Sequence, residues 1–383
     1  MKNLKPLISF VLSSALLLTA GFTGAASLSG DVQSLYDSQL KDLFIHFHQN
    51  PELSFKEDKT AKRLGDELEA LGYSVHRGVG GTGLIALLEN GPGPMVMFRA
   101  DMDGLPVKEK SGLPYASTAR QKDWDGNDVF VMHACGHDTH TAILMGVASV
   151  LSKHKDKIKG TIKFIFQPAE EGAPPGEEGG ASLMVKEGVL ENPSVDAIFG
   201  LHINSVLPVG MIGYKPLGAM AASDRFVIKV QGKQTHGSQP WGGVDPILIS
   251  AKIIDGLQTI ISRNRNPQNP SVLSICSIHG GNTTNVIPSE VKLMGTFRAM
   301  DEIWRFKAHE LMMQQAKGLA ISTGAEIDFR VDIGYPTVDN EPLLTEAAWK
   351  LADAYMGASN VEETEKMILR KIQKGENVKD LIS

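Results

Sequence analysis

The pattern of apolar and polar positions divides the chain into three parts. In the first part, about residues 32–221, amphipathic helical stretches alternate with short apolar runs such as LIALLEN, MVMFRA, TIKFIFQP and DAIFGLHI. Such runs have the length of strands, and the segments around GVASVLSKH and LMVKEGVL supply helices between them. Alternating helices and continuous apolar strands predict an α/β domain with a largely buried sheet.

The second part, about residues 222–332, has a different rhythm. DRFVIKVQG, SVLSICSIHGG, SEVKLMGTFRAM and AEIDFRVDI are typical of strands, and two long apolar-periodic stretches between them are typical of helices. The resulting order is βαββαβ, the ferredoxin-like arrangement. We therefore expect a small ferredoxin-like domain inserted into the α/β domain.

The third part, residues 333–383, is expected to return to the first domain. EPLLTEAAWKLADAYMG predicts a helix, whereas the charged stretch after it has no strand pattern.

The first 26 residues have the composition of a secretory signal peptide. Lys2 and Lys5 precede the apolar stretch Leu7–Leu18, and small residues follow at positions 24–26. The apolar stretch is shorter than the roughly 20 residues that a membrane span needs, and no second segment is long enough. We expect an exported protein, periplasmic or secreted, that is not held in the membrane after cleavage.

Composition narrows the class further. A chain of 383 residues suggests about two domains. A net charge of −6 without a basic cluster argues against a nucleic-acid partner. The two cysteines, Cys135 and Cys276, allow one disulfide, but Cys135 lies among histidines and Cys276 in a strand-like run, which disfavours that interpretation.

Polar groups follow three of the apolar runs. Asp101 and Asp103 end the first run, Glu170 and Glu171 follow the second, and His202 ends the third. In open α/β sheets, ligands bind at the carboxyl ends of the strands. If these strands are parallel neighbours, the groups meet at one crevice.

A fourth stretch, HACGHDTHT at residues 133–141, contains three histidines, a cysteine and an aspartate. It follows the apolar run VFVM and precedes a helical pattern, which Thr139 or Thr141 is expected to cap. Singly, these groups have plainer interpretations: turn aspartates, solvated glutamates at a helix start and core histidines. Together, the four stretches favour a metal site.

The mixture of residue types indicates which metal is bound. Cysteine, histidine and carboxylate together suit Zn²⁺ or another transition ion better than Ca²⁺ or Mg²⁺, and the spacing allows two ions. Cys135 and His137 can bind one ion from an irregular turn. Adjacent Glu170 and Glu171 are not expected to ligate together, so one would ligate and the other would take a proton from water, whose pKa a bound ion lowers from about 15.7 towards 7.

Two competing motifs are weaker. GVGGTG at residues 78–83 matches a dinucleotide fingerprint, with Asp103 at the required distance beyond it. That fingerprint needs a helix next, but LIALLEN is typical of a hairpin strand. The G-x-S-x-G elbow of a serine hydrolase does not occur in the sequence.

Several motifs resemble, in order, the amidohydrolase branch of metallopeptidase family twenty, which includes hippurate, N-acyl-amino-acid and auxin-conjugate hydrolases. They are FRADMDGLP, HACGHDTHT, QPAEEG, GLHI, GKQTHGSQPWGGVDPI and GGNTTNVIPSEVKLMGTFRA, and the likeness covers about residues 35–345. It implies a zinc-peptidase-like catalytic domain with two divalent metal ions, and an inserted domain, the lid (residues 222–332), that usually forms a homodimer.

The resemblance also implies roles for individual residues. Glu170 would be the general base, Asp103 would orient a ligand, and His236 would hydrogen-bond the developing oxyanion across the dimer. The metal ligands would be Cys135, His137, Glu171 and His202. Asn285 and Arg298 would touch the substrate, although a turn residue and a surface strand residue are equal alternatives for these two.

The chain departs from the family pattern in two places. Trp241 stands where the lid motif commonly has a histidine. This replacement is expected to alter the shape of the pocket and no more. More seriously, the last histidine is His309, whereas the family ends with a histidine–proline motif that supplies the last metal ligand. The tail after Ser359 does not resemble the family, and a truncation or frameshift is the leading explanation. It predicts weaker metal binding, reduced activity, and an uncovered sheet edge or apolar face.

We therefore expect an exported amidohydrolase that uses Zn, Mn, Co or Ni ions to cleave N-acyl amino acids or similar small amides. One alternative is a dipeptidase or carboxypeptidase of the same family. Another is a catalytically impaired protein that binds metal or ligand, because the last ligand histidine is missing.

Overall fold

The computed structural model describes residues 25–174, 176–191, 193–205, 207–357 and 361–363. These residues form two compact units, which meet along the chain at residues 205–206. The leader up to residue 24 and most of the charged tail after Ser359 lie outside the described residues, so their predicted character stays a prediction.

Unit 1 contains five helices and seven strands in its described residues. The helices are α1 (Ala25–Leu35), α2 (Lys41–Gln49), α3 (Asp58–Ala70), α4 (His137–Lys153) and α5 (Gly180–Lys186), with a π-helical turn at Tyr36–Leu40 and a 3-10 turn at Lys155–Lys157. The strands are β1 (Ser74–Val79), β2 (Gly83–Asn90), β3 (Met95–Asp101), β4 (Arg120–Lys122), β5 (Asp128–Phe130), β6 (Gly160–Gln167) and β7 (Ala197–Gly200).

Five of these strands form one sheet in the order β1-β2-β6-β3-β7. β6, β3 and β7 run parallel, and Asp101 at the end of β3 lies opposite Gln167 at the end of β6. The carboxyl ends of these three strands therefore meet at one edge, as the sequence predicted. β4 and β5 form a separate hairpin, so the HACGHDTHT stretch does not follow a strand of the main sheet.

The central strands are buried because helices cover both faces. Phe164 and Phe166 of β6 pack with Leu64 and Leu68 of α3 and with α4, and all four side chains are fully buried. On the other face, a smaller cluster joins β3 and β6 to α5. The edge strands β1 and β7 are partly exposed, so the expected burial holds for the centre of the sheet. Burial on both faces explains why the interior of β6 is apolar apart from Lys163.

The glycine-rich GVGGTG segment forms the turn of a hairpin. β1 and β2 pair in antiparallel fashion on either side of Gly80 and Gly81, which have φ angles of 64° and 99°. Glycine adopts such angles without steric cost. A strand, not a helix, follows the glycines, which confirms the hairpin prediction.

β7 pairs with a single strand, β3, among those described. Ile198 on this edge keeps 48% of its surface exposed.

Unit 2 contains three helices and ten strands in its described residues. The helices are α6 (Pro246–Thr259), α7 (Glu302–Thr323) and α8 (Pro342–Met356), with a 3-10 turn at Pro240–Gly242 and a π-helical turn at Ile260–Asn264. The strands are β8 (Ile212–Tyr214), β9 (Leu217–Met220), β10 (Ala222–Gln231), β11 (Thr235–His236), β12 (Ser271–His279), β13 (Val286–Ile287), β14 (Glu290–Ala299), β15 (Glu326–Asp332), β16 (Val338–Asn340) and β17 (Val361–Glu363).

The main sheet of unit 2 has the order β12-β14-β10-β15, with all neighbours antiparallel. Together with α6 and α7 this gives βαββαβ, the ferredoxin-like arrangement expected from the sequence. Asp245 caps α6 and Asp301 caps α7 through their side chains. A single core joins the sheet to both helices, with Leu257 of α6 and Met312 of α7 fully buried.

The third part of the chain agrees with the sequence in its helix and differs in its strands. α8 forms where EPLLTEAAWKLADAYMG predicted it. Beyond it, β17 pairs in parallel with β8, so the expectation of no strand in the charged tail was wrong. A three-residue strand is too short to produce a periodic pattern in the sequence. Its strand conformation is defined by its pairing with β8.

No helix in the described ranges combines the length and hydropathy needed to cross a bilayer.

Candidate metal centre

The HACGHDTHT stretch is a sharp turn into α4. Gly136 has a φ of 94°, and α4 begins at His137. The φ angle favours glycine here, and a Cβ at position 136 would lie 2.2 Å from Cδ1 of Ile203, so that side chain would have to move aside. The expected threonine cap was wrong: the start of α4 has no side-chain cap, and the Thr141 hydroxyl donates instead to the Asp101 carbonyl at 2.8 Å.

The metal-capable side chains converge around His137. Sγ of Cys135 lies 3.2 Å from Nε2 of His202. Nε2 of His137 lies 3.7 Å from Oε2 of Glu170 and 3.8 Å from Oε1 of Glu171. Three overlapping groups of potential ligands have all their ligand atoms within 4.8 Å of one another: Cys135, His137 and His202; Asp101, His137 and His140; His137, Glu170 and Glu171.

Both adjacent glutamates reach this centre. Both carboxylates lie within reach of His137, so the expectation that one ligates and the other acts as base is compatible with either assignment. The preceding Ala169 has a φ of 45°, and the backbone bends at both glutamates, so they do not alternate as in a strand. Their assignment as ligand and base therefore stays a prediction.

Asp103 organises the site from behind, at three points. Nδ1 of His137 donates to its Oδ1 at 3.2 Å, while the Ser54 hydroxyl and the Glu171 backbone amide donate to its Oδ2 at 2.7 and 3.0 Å. The bond to Nδ1 leaves Nε2 of His137 as the lone-pair nitrogen of a neutral ring. This is the orienting contact that metal-ligating histidines commonly make.

A second buried pair, Asp101 and His140, was not assigned a role from the sequence. Nδ1 of His140 donates to Asp101 at 2.7 Å, and its Nε2 accepts the backbone amide of Ile203 at 2.9 Å. Arg99 donates to the other oxygen of Asp101 at 2.7 Å. His140 therefore ties the loop that carries His202 to β3. Both residues lie in the sequence stretches that predicted the metal site. The sequence alone, however, does not tell which histidine is available as a ligand and which one holds neighbouring groups in place.

Negative charge makes the centre attractive to cations. Burial opposes protonation of His137, but the hydrogen bond to Asp103, the neighbouring Cys135 sulfur and the charge of Asp101 outweigh it and raise its pKa to about 11. The hydrogen bond to Cys135 likewise raises the pKa of His202 to about 9. A field that favours protons on two imidazoles also favours a metal cation between them.

The acidic groups respond in opposite directions. The neighbouring imidazoles of His137 and His202 lower the pKa of the Cys135 thiol, which favours the thiolate that binds metals. Burial raises the pKa values of Glu170 and Glu171. Cys135 and Cys276 are both free thiols.

The residues present fit a divalent metal ion. Nε2 of His137 is fully buried, yet none of the described protein groups hydrogen-bonds to it. A buried polar nitrogen without a partner is costly unless a ligand satisfies it. It is surrounded by a thiol, a second imidazole and two carboxylates, a donor set that suits Zn²⁺, Mn²⁺, Co²⁺ or Ni²⁺ better than Ca²⁺.

The remaining predicted residues lie in unit 2. His236 pairs with Val286 across a two-stranded ribbon, and the amide of Gly237 donates to the carbonyl of Asn285 at 2.8 Å, so His236 and Asn285 are neighbours. Asn285 is a turn residue, and Arg298 is an exposed residue of β14, as the plainer interpretations expected. Trp241 is 82% exposed. The catalytic roles of these residues stay predictions.

A family model for peptidase family M20/M25/M40 matches residues 97–370. The match continues past Ser359, beyond the point where the sequence analysis expected the likeness to end. An N-acyl-L-amino acid amidohydrolase from Geobacillus stearothermophilus is 40% identical over 316 residues, which cover 81% of each chain. Thermostable carboxypeptidase 2 from Saccharolobus solfataricus is 40% identical over 89% of this chain and 83% of its own.

A solved structure supports the same relationship. The YXEP protein of Bacillus subtilis, described as a dinuclear metal-binding peptidase from the M20 family, superimposes with a TM-score of 0.70 at 34% identity. The superposition covers 86% of this chain and 82% of that one. Together with the site geometry, these similarities support divalent metal binding. This chain is a hydrolytic enzyme that belongs to peptidase family M20/M25/M40.

Proposed function

We propose that the protein is an exported metal-dependent amidohydrolase that cleaves N-acyl amino acids or similar small amides. One observation carries the proposal: the thiol of Cys135, the imidazoles of His137 and His202 and the Glu170–Glu171 pair meet at the carboxyl ends of three parallel strands. The amidohydrolase from Geobacillus stearothermophilus, at 40% identity, supports the substrate class.

Each residue of the site has a separate role in the proposed amide hydrolysis. A divalent ion held by Cys135, His137, Glu171 and His202 would polarise the amide and lower the pKa of a water molecule. Glu170, whose raised pKa brings it nearer to neutrality, accepts the proton of the attacking water and passes it to the leaving amine. Asp103 holds the His137 ring in the orientation that ligation needs.

The family resemblance adds roles for two residues of unit 2 to this proposal. His236 is exposed and its Nδ1 lies 2.7 Å from the Ser238 hydroxyl, which leaves Nε2 available to hydrogen-bond the developing oxyanion. Arg298 is exposed and offers a guanidinium to a substrate carboxylate. A homodimer formed through the lid would bring His236 to the partner's substrate.

A carboxypeptidase activity is the second candidate, supported by the 40% identical carboxypeptidase from Saccharolobus solfataricus. N-acyl amino acids and peptides share an amide bond next to a free carboxylate, so Arg298 serves either substrate. Hydrolysis rates for N-acetyl and N-benzoyl amino acids against dipeptides and longer peptides, with Zn²⁺, Mn²⁺, Co²⁺ or Ni²⁺, separate the two activities. Higher kcat/KM for peptides would favour the carboxypeptidase.

The decisive variant is Glu170→Gln, which keeps the shape of the side chain and removes the base. We expect kcat to fall by about 10²- to 10⁴-fold, while the metal stays bound. The control is Glu178→Gln, an exposed glutamate that pairs with Lys186 outside the cluster. Unchanged activity in Glu170→Gln would contradict the proposed base. A chain that binds metal but hydrolyses none of these substrates would be the catalytically impaired binding protein.

Export rests on the leader sequence alone. The charged start, the apolar stretch and the small residues at positions 24–26 support cleavage after residue 26. Cell fractionation and N-terminal sequencing of the mature protein test this. A cytoplasmic protein that keeps Met1 would contradict it.

A further inference from the structure

The buried carboxylate of Glu57 contacts the loop that carries the two glutamates of the metal centre. Its Oε1 accepts the backbone amide of Ala169 at 2.9 Å, and its Oε2 accepts the Thr82 hydroxyl. Glu57 itself is 0% exposed. Both partners are uncharged, and burial raises the pKa of Glu57 to about 7. A buried carboxylate held by neutral donors is costly, so its presence calls for a role.

The position of Glu57 makes the contact unusual. Glu57 immediately precedes α3, where an acidic side chain normally accepts the free amides of the first helical turn. Here Glu57 makes no such bond, and the carboxylate of Glu52 accepts the amides of Lys59 and Thr60 instead. Glu52 caps the helix, and Glu57 is free to bind a distant loop.

The loop that begins at Ala169 has a strained backbone. Ala169 has a φ of 45°, a left-handed conformation that non-glycine residues rarely adopt, and it directly precedes Glu170 and Glu171. Its carbonyl also accepts the amide of Gly180 at 3.3 Å, and the residue is fully buried. The amide that donates to Glu57 therefore belongs to a strained residue that directly precedes both glutamates.

We propose that Glu57 is a positioning residue that sets the direction of the Glu170–Glu171 pair through the amide of Ala169. The kinetic part of this inference rests on the proposed hydrolase function, whereas its metal-binding part does not.

The experiment compares three variants with the unaltered protein. Glu57→Ala removes the acceptor. Glu57→Gln keeps an amide oxygen for Ala169 and an amide group that can donate to Thr82. Glu52→Ala is the matched control, since it removes a buried glutamate whose carboxylate, within the described residues, accepts two backbone amides of α3. For each protein, the folded fraction, the Co²⁺ affinity, the visible spectrum of the Co²⁺-loaded protein, kcat and KM are measured.

We expect Glu57→Ala to weaken Co²⁺ binding and lower kcat by about 10- to 100-fold, with an altered Co²⁺ spectrum, because such outer contacts typically have effects of this size. KM should change far less than kcat. Glu57→Gln should restore the Co²⁺ spectrum and most of kcat. Glu52→Ala should lower the melting temperature while leaving the Co²⁺ spectrum of the folded protein unchanged.

Three outcomes would overturn the inference. They are an unchanged Co²⁺ spectrum and affinity in Glu57→Ala, equal losses in Glu57→Ala and Glu52→Ala, and equal losses in Glu57→Ala and Glu57→Gln. If the unaltered protein hydrolyses no N-acyl amino acid, the proposed function fails, and the Co²⁺ measurements alone decide the role of Glu57.

Discussion

Sγ of Cys135 lies 3.2 Å from Nε2 of His202, although 67 residues separate them in the chain. Cys135 sits in the turn before α4, and His202 follows β7. The sheet brings them together because β3 lies between β6 and β7, and α4 packs against β3 next to this edge. A thiol and an imidazole at this distance can bind one ion together, and a thiolate favours transition metals.

Replacing Cys135 with serine should weaken binding of the thiophilic ion. We expect Cys135→Ser to lower Zn²⁺ or Co²⁺ affinity by about 10- to 100-fold and to remove the thiolate-to-Co²⁺ charge-transfer absorption. Metal titration with near-ultraviolet absorption measures both effects. Cys276→Ser is the matched control, because Cys276 is the other, exposed, free thiol. An intact charge-transfer band in Cys135→Ser would show that the thiol is not a ligand.

Replacing Asp103 with asparagine should reverse the tautomer of His137. The asparagine oxygen would keep the donors from Ser54 and Glu171, so its amide group would face Nδ1 of His137. Nδ1 then accepts, and the ring proton moves to Nε2, the nitrogen that faces the metal centre.

We expect this change in Asp103→Asn to cost about 10- to 100-fold in metal affinity. Isothermal titration with Zn²⁺ measures it, and Asp125→Asn, an exposed aspartate of the β4–β5 hairpin, is the control. Equal affinities in the unaltered protein and in Asp103→Asn would rule out the orienting role.

Asp224 should make the free energy of unfolding of unit 2 depend on pH in the acidic range. It is fully buried, and Arg305 donates to both of its oxygens, with Nε 2.7 Å from Oδ2. Burial alone would raise its pKa, but the hydrogen bonds from Arg305, His309 and the Gly334 amide lower it overall. A carboxylate with a lowered pKa stabilises the fold above its unfolded pKa of about 3.9, and this contribution disappears as the pH falls through the folded value.

Asp224→Asn should therefore lower the free energy of unfolding by about 3 kcal/mol at pH 7, since it removes the buried counter-ion of Arg305 and leaves the more exposed Glu302 as its charge partner. The difference from the unaltered protein should shrink below about pH 4, where the unfolded aspartate takes up a proton. Urea unfolding at pH 7 and pH 3 measures this, with exposed Asp328→Asn as control. A difference that stays constant with pH would contradict the assignment of the shift.

Tyr73 should contribute one hydrogen bond to the core of unit 1. Its hydroxyl donates to the Ala148 carbonyl at 2.9 Å, and only 4% of its surface is exposed. Tyr73→Phe should lower the free energy of unfolding by about 1 kcal/mol, because a buried carbonyl loses its donor. Chemical denaturation measures this, and exposed Tyr36→Phe should have no effect. A loss in Tyr36→Phe as large as that in Tyr73→Phe would contradict the assignment.

Local sequence patterns were sufficient to predict those helices and strands whose own residues carry a clear periodicity. The ferredoxin-like order of unit 2 followed from four strand patterns and two helix patterns, because each element is long and has a distinct period. The GVGGTG hairpin followed from the strand after it. By contrast, β17 has three residues, and the contact between Ile203 and Gly136 at the start of α4 joins residues far apart in the chain. Neither feature produces a local signal.

The sequence by itself determined the fold class, the family and the set of metal-capable residues, since residue types, their order and the apolar periods are properties of the chain. Only the tertiary structure decided which of them share a centre and in what geometry. It placed Asp103 and Asp101 behind different histidines, turned both glutamates towards His137 through the left-handed Ala169, and linked Glu57 to that turn. Distances between residues far apart in the chain depend on strand order and packing, which no local pattern specifies.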